Sequence, residues 1–210
     1  MRKLFLPLIV ALIPLAASAT TVDRIAAVID RQVITVSEVS QVVTIRFFAR
    51  KAQSEDEHRR EVLENLIAQA LRYRDVERFG AEDIPRDSIE ARLKEIQNRF
   101  ATEAEFNAAL LSSELTMDEL RALIKRQLQV EAYIQERFAP LIFIPNEEVE
   151  AYHNGPWAQQ RRERGLPLVP LNEVREEVRA LLRSSRLQQD IEDWTSRLRQ
   201  RLNVDVYAWR

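Results

Sequence analysis

The chain has 210 residues, a near-balanced 31 Lys+Arg against 33 Asp+Glu, two histidines, three glycines and no cysteine. This excludes disulfides, thiolate nucleophiles, zinc–thiolate clusters, a three-histidine metal site and a Gly-rich phosphate loop, and no cofactor is expected. The charge balance argues against nucleic acid as a partner, and the sparse glycine fits a mostly helical chain long enough to bury about 70% of its unfolded surface.

Met1-Arg2-Lys3 is a positive start, and Leu4 to Leu15 is a short apolar run. Ala17-Ser18-Ala19 then supplies the small residues that signal peptidase requires, so Ala17 and Ala19 mark the expected cleavage site of a Sec-type signal over residues 1–19. The run is short against the roughly twenty residues that span a bilayer. No later segment is long and apolar enough, so the mature chain is expected to carry no integral membrane segment. An exported chain without a lipobox cysteine is expected in the periplasm.

Arg24 to Ile34 is rich in β-branched residues and is interrupted by Asp30-Arg31, which predicts a hairpin. Ser37-Glu38 opens an expected helix to about Lys51. A second runs from about Asp56 to Phe79, with Val62, Leu63, Leu66, Ile67, Ala70 and Leu71 as its buried stripe and Gly80 as a left-handed cap. A third begins at Ile84-Pro85. Capping boxes at Thr102–Glu105 and Thr116–Glu119 predict a fourth helix and a fifth reaching about Phe138. A short helix from Pro145 is expected to fade at Asn154-Gly155-Pro156, and residues 155–171 read as a linker. A long helix follows from Asn172 to Leu202. Its two apolar stripes fall out of step near Ser184-Ser185, which predicts a kink or a change of facing. Val204 to Ala208 alternates like a strand, and the hairpin is its expected partner. The expected architecture is therefore mostly α. It has a multi-helix unit over residues 20–154, a C-terminal helix and strand over 172–210 packing back on it, and a small antiparallel sheet from hairpin and terminal strand. Residues 157–210 carry net +3 and residues 20–156 net −7, which favours that docking weakly.

No constellation supports catalysis. His153 faces Glu150 on a helix but reads as a solvated side chain, and His58 reads as a surface residue in a first turn. Arg161-Arg162-Glu163-Arg164 reads as a solvated linker, and Ser184-Ser185 has no nearby base. The aromatics Phe47, Phe48, Phe143, Trp157 and Trp194 fit core packing, or an apolar surface that binds other chains. Adjacent Phe47 and Phe48 cannot both face one narrow stripe, which leaves one of them exposed.

The order of these elements resembles the N-terminal chaperone domain of the SurA family of periplasmic folding factors, a PpiC-like group. The resemblance rests on Val22 to Ile29 with Val33-Ile34 and Ser37-Glu38-Val39, on Leu63 to Leu71 followed by Phe79-Gly80 and Ile84-Pro85, and on Ile142 to Val149. Glu173 to Val204 resembles the family's closing helix and strand. In that family, parvulin prolyl-isomerase domains sit between these two parts. Here residues 155–171 stand in their place, and the paired histidines of a parvulin site are lacking. The resemblance implies an ATP-independent holdase for unfolded outer-membrane or secreted polypeptides, without isomerase activity and not an enzyme. The five aromatics are its expected client-binding residues. An adaptor that binds one dedicated partner in an envelope complex is the alternative. The C-terminal strand could dock on its own hairpin or swap onto a neighbour's, giving a domain-swapped homodimer.

Overall fold

The computed structural model describes residues 23–207. The expected signal with Ala17 and Ala19, and Ala208 at the end of the expected strand, lie outside the described residues. Strands β1 (Ile25–Ile29) and β2 (Gln32–Thr35) form the hairpin, with Asp30 at positive φ in its turn. Strand β3 (Val204–Val206) pairs antiparallel with the other edge of β1, so the sheet order is β2-β1-β3. Ala26, Ala27, Ile29 and Ile34 carry the buried face of this small sheet.

Helix α1 (Val36–Thr44) starts at Thr35, not Ser37: the Thr35 hydroxyl accepts from the Glu38 amide and the Glu38 carboxylate accepts from the Thr35 amide. It ends seven residues before the expected Lys51, because Arg46 turns to φ +53° and reverses the chain. Helix α2 (Glu55–Phe79) is capped by Ser54 and stops at Gly80, which has positive φ but an extended ψ of 102°. Helices α3 (Arg86–Gln97) and α4 (Glu103–Ser112) follow. Thr102 caps the Glu105 amide as expected, but the Glu105 carboxylate reaches the Ala101 amide instead of closing the box. Helix α5 (Met117–Arg137) opens on a complete box between Thr116 and Glu119.

Beyond Pro140 the chain departs from the expected linker. Helix α6 (Asn146–Tyr152) does not fade; it widens into a π turn over His153–Trp157 and continues as α7 (Ala158–Glu163). The wider turn takes Pro156 without ending the helical path. His153 is not a solvated side chain. Its ring stacks on Trp157 with centroids 4.8 Å apart, and its Nε2 lies 2.9 Å from the Val169 carbonyl, which pins the extended return.

Helix α8 (Leu171–Arg201) is continuous through Ser184-Ser185. The stripe offset there is a change of partner. Val178 belongs to a small core with Ile142, Ile144, Val149 and Trp157, whereas Trp194 and Leu198 belong to the main core; Leu187 touches both. On the main core, Trp194 Nε1 donates to the buried Asp75 carboxylate at 3.0 Å, and its ring stacks on Tyr133 and leans on Phe138. Arg199–Glu64 at 2.7 Å and Arg186–Glu148 at 3.0 Å bridge α8 to the acidic half at the surface. The apolar burial is the larger contribution, since exposed pairs are worth about 0–1 kcal/mol each.

Candidate functional site

Apolar surface that a fold leaves uncovered is where another chain can bind. Helical periodicity creates such a place where three helices present matching stripes. Glu38, Gln41 and Val42 on α1, Leu66, Gln69, Ala70 and Tyr73 on α2, and Glu119, Ala122, Leu123 and Arg126 on α5 follow the three- and four-residue spacing of one helix face. Together with Gln32 and Ile34 of β2 and with Leu115, they enclose a groove of about 370 Å³. Ile34 and Val42 are buried at its floor, and Leu66, Ala70, Tyr73, Leu115 and Leu123 are half-buried along it. The glutamines, the two glutamates and Arg126 form a polar rim.

Strand β2 is an edge of the sheet, so its outer backbone groups face away from β1 beside this groove. The Arg126 guanidinium lies 5.7 Å from the centre of the Tyr73 ring. Burial, with a hydrogen bond to Glu77 and its charge, holds the Tyr73 phenol above its ordinary value, against the opposing charges of Arg126 and Lys125. The hydroxyl therefore stays neutral, a donor and acceptor on an otherwise apolar wall.

The five aromatics expected to bind clients do not come together. Phe47 (3% exposed), Trp157 (4%) and Trp194 (5%) are buried within the chain's own cores, and Phe48 is half-buried, edge-to-face with Phe47 at 5.1 Å. Only Phe143 is open, at 79%, next to the equally exposed Leu141. Ile142 and Ile144 between and beside them turn inward, so the segment alternates like a strand, with its outer side chains in solvent. Leu66 and Ala70 were legible as an apolar stripe, but the sequence carries no signal for which part of it the other helices leave open. Gln41 and Gln69, polar residues flanking apolar stripes on two helices, are the one visible hint.

Comparison with known proteins adds a relation. The chain is 32% identical over 163 residues to a protein named Chaperone SurA from Chromobacterium violaceum, covering 71% of this chain and 38% of that protein. It is 27% identical over 150 residues to a Chaperone SurA from Saccharophagus degradans, covering 69% of this chain and 35% of that one. Over that span the chain is SurA-like. No family model matches it. The SurA-like chain thus spans well under half the length of the curated relatives it matches. Among the described residues, no helix is long and apolar enough to cross a membrane, and no cluster of three or more His, Asp or Glu could hold a metal ion.

Proposed function

We propose that this chain is a periplasmic, ATP-independent holdase that binds unfolded outer-membrane or secreted polypeptides without prolyl isomerase activity. The observation that carries the reading is the groove between α1, α2 and α5: an apolar floor, a polar rim and an adjoining sheet edge. An extended segment laid there could bury alternate apolar side chains on Leu66, Tyr73 and Leu123 while its backbone meets the glutamines and the outer edge of β2. Such contacts are weak singly, and a holdase needs many of them rather than one tight lock. The likeness to proteins named as SurA chaperones supports the same reading. In it, residues 1–19 are a cleaved signal and residues 155–171 take the place that a parvulin domain occupies in the family.

The buried Phe47, Trp157 and Trp194 then act as scaffold, Phe143 remains the one of the five fully open to a client, and Phe48 offers a half-buried face. The exposed pair Leu141 and Phe143 favours a second reading, an adaptor that seats one folded partner on a small apolar patch. Light scattering from a dilute unfolded porin distinguishes the two. The holdase is expected to suppress the scattering, and no suppression at several-fold molar excess would contradict it. Affinity capture with the chain as bait is then expected to yield many unfolded chains, whereas a single stoichiometric folded partner supports the adaptor.

A further inference from the structure

A second concavity, away from the groove, has an opposite character. Where α1 ends, Arg46 takes positive φ and the chain turns back toward the start of α2. The turn is clasped by two arginines: Arg46 Nη1 donates to the Arg99 carbonyl, and Arg99 Nη1 donates to the Arg46 carbonyl and, at 2.6 Å, to that of Phe47. The clasp ties the two arginines across the turn, with the Arg46 guanidinium 4.4 Å from the centre of the Phe100 ring, and among the described residues neither forms an ion pair with a carboxylate. The neighbouring carboxylates form their ion pairs with other arginines. Glu55 pairs with Arg50 at 2.6 Å, and Glu95 pairs with Arg92 at 3.0 Å. Burial, with the charge of Arg92, holds the Arg99 guanidinium below its ordinary value against the opposing charge of Glu95.

These arginines open onto a cleft of about 440 Å³, within the range of small-ligand sites. Arg46, Arg50 and Arg99 line one part of it, and Val43, Phe48 and Ala49 supply an apolar wall. His58 lines it from α2. That ring is buried and makes no hydrogen bond among the described residues; its Nδ1 is 3.9 Å from Glu61 Oε2, and both atoms are buried without a hydrogen-bond partner. With Arg50 paired to Glu55, the cleft keeps two guanidinium groups, those of Arg46 and Arg99, without a carboxylate ion-pair partner, a lining suited to an anion. The apolar wall beside the charges selects an anion that carries a hydrophobic group.

We propose that this cleft binds the free carboxylate at a polypeptide C-terminus whose last side chain is apolar. Arg46 and Arg99 take the carboxylate through guanidinium N–H groups that the clasp leaves unused, and Phe48 and Val43 receive the side chain. The anion preference stands on the cleft alone; the choice of a polypeptide terminus rests on the proposed chaperone function. The test is fluorescence anisotropy on the whole chain with one labelled pentapeptide ending in Leu-Phe, prepared as the free acid and as the C-terminal amide. The acid is expected to bind about tenfold more tightly, the effect of losing a charge-assisted pair. Arg46→Gln, checked for an unchanged circular dichroism spectrum, is expected to erase the difference while porin aggregation is still suppressed. Equal binding of acid and amide, or binding of neither, overturns the proposal. Inorganic phosphate displacing a dye from the cleft better than the free-acid peptide also overturns it, by making the cleft a bare anion site. Aggregation suppression is read separately, so failure of the terminus site does not count as failure of the holdase.

Discussion

Trp194 shows how one side chain can serve against its first reading. Taken from the sequence, it is a large aromatic on a charged helix, equally suited to a core and to a client surface. In the fold its indole N–H meets Asp75, and its ring lies within 6 Å of Tyr133 and Phe138 by centroid distance. A carboxylate is tolerated that deep only with a donor beside it. Trp194→Phe keeps most of the ring volume and leaves the Asp75 acceptor short of a partner. It is expected to cost about 1–3 kcal/mol in urea-induced unfolding; a midpoint unchanged from the unmodified chain would show that the bond contributes nothing. His58 and His153 carry the same lesson at smaller scale. Both sit among charged or polar neighbours in sequence, yet one ring is buried and the other is pinned between Trp157 and the Val169 carbonyl. The Val169 carbonyl that pins His153 lies sixteen residues on, out of reach of a local reading.

Helix starts were the most legible elements, because a cap is a local device: hydroxyl, amide and returning carboxylate lie within four residues. At α5 the Thr116 amide, then its hydroxyl, hold the Glu119 carboxyl below its ordinary value of 4.5. A lowered folded-state value contributes stability above the ordinary carboxylate range, and that contribution is lost as pH falls through the lowered value. Carbon-detected NMR titration is expected to find Glu119 titrating below a typical glutamate, and Thr116→Ala, which keeps the amide and removes the hydroxyl, should return it part of the way toward 4.5 and cost about 1 kcal/mol. A Glu119 titration unaffected by that change would refute the bond from the Thr116 hydroxyl to the Glu119 carboxylate. Helix ends were less legible. The early stop of α1 depends on the Arg99 clasp from more than fifty residues away, and the run from α6 through Pro156 into α7 depends on a π turn that no propensity announces. The stripe offset in α8 was visible at residue resolution, and its meaning became clear only with two cores for the helix to face.

At the scale of the whole molecule, the class of fold and the pairing of first and last strands were legible because an exposed hairpin and a lone terminal strand leave each other as partners. The groove was not, since it is defined by what α1, α2 and α5 fail to cover. In the structure β3 pairs with β1 of its own chain, and the chain is expected to show a monomeric mass by multi-angle light scattering. A dimeric mass would instead favour exchange of α8 and β3 between copies. In the proposed function, unfolded polypeptide lies in the groove. A photo-crosslinking amino acid placed at Gln69 on the groove wall, compared with one at the exposed Glu173 on α8, tests it most directly. With an unfolded porin, strong crosslinks are expected from position 69 and few from position 173; equal yields, or crosslinks from position 173 alone, would show that the client does not lie in the groove.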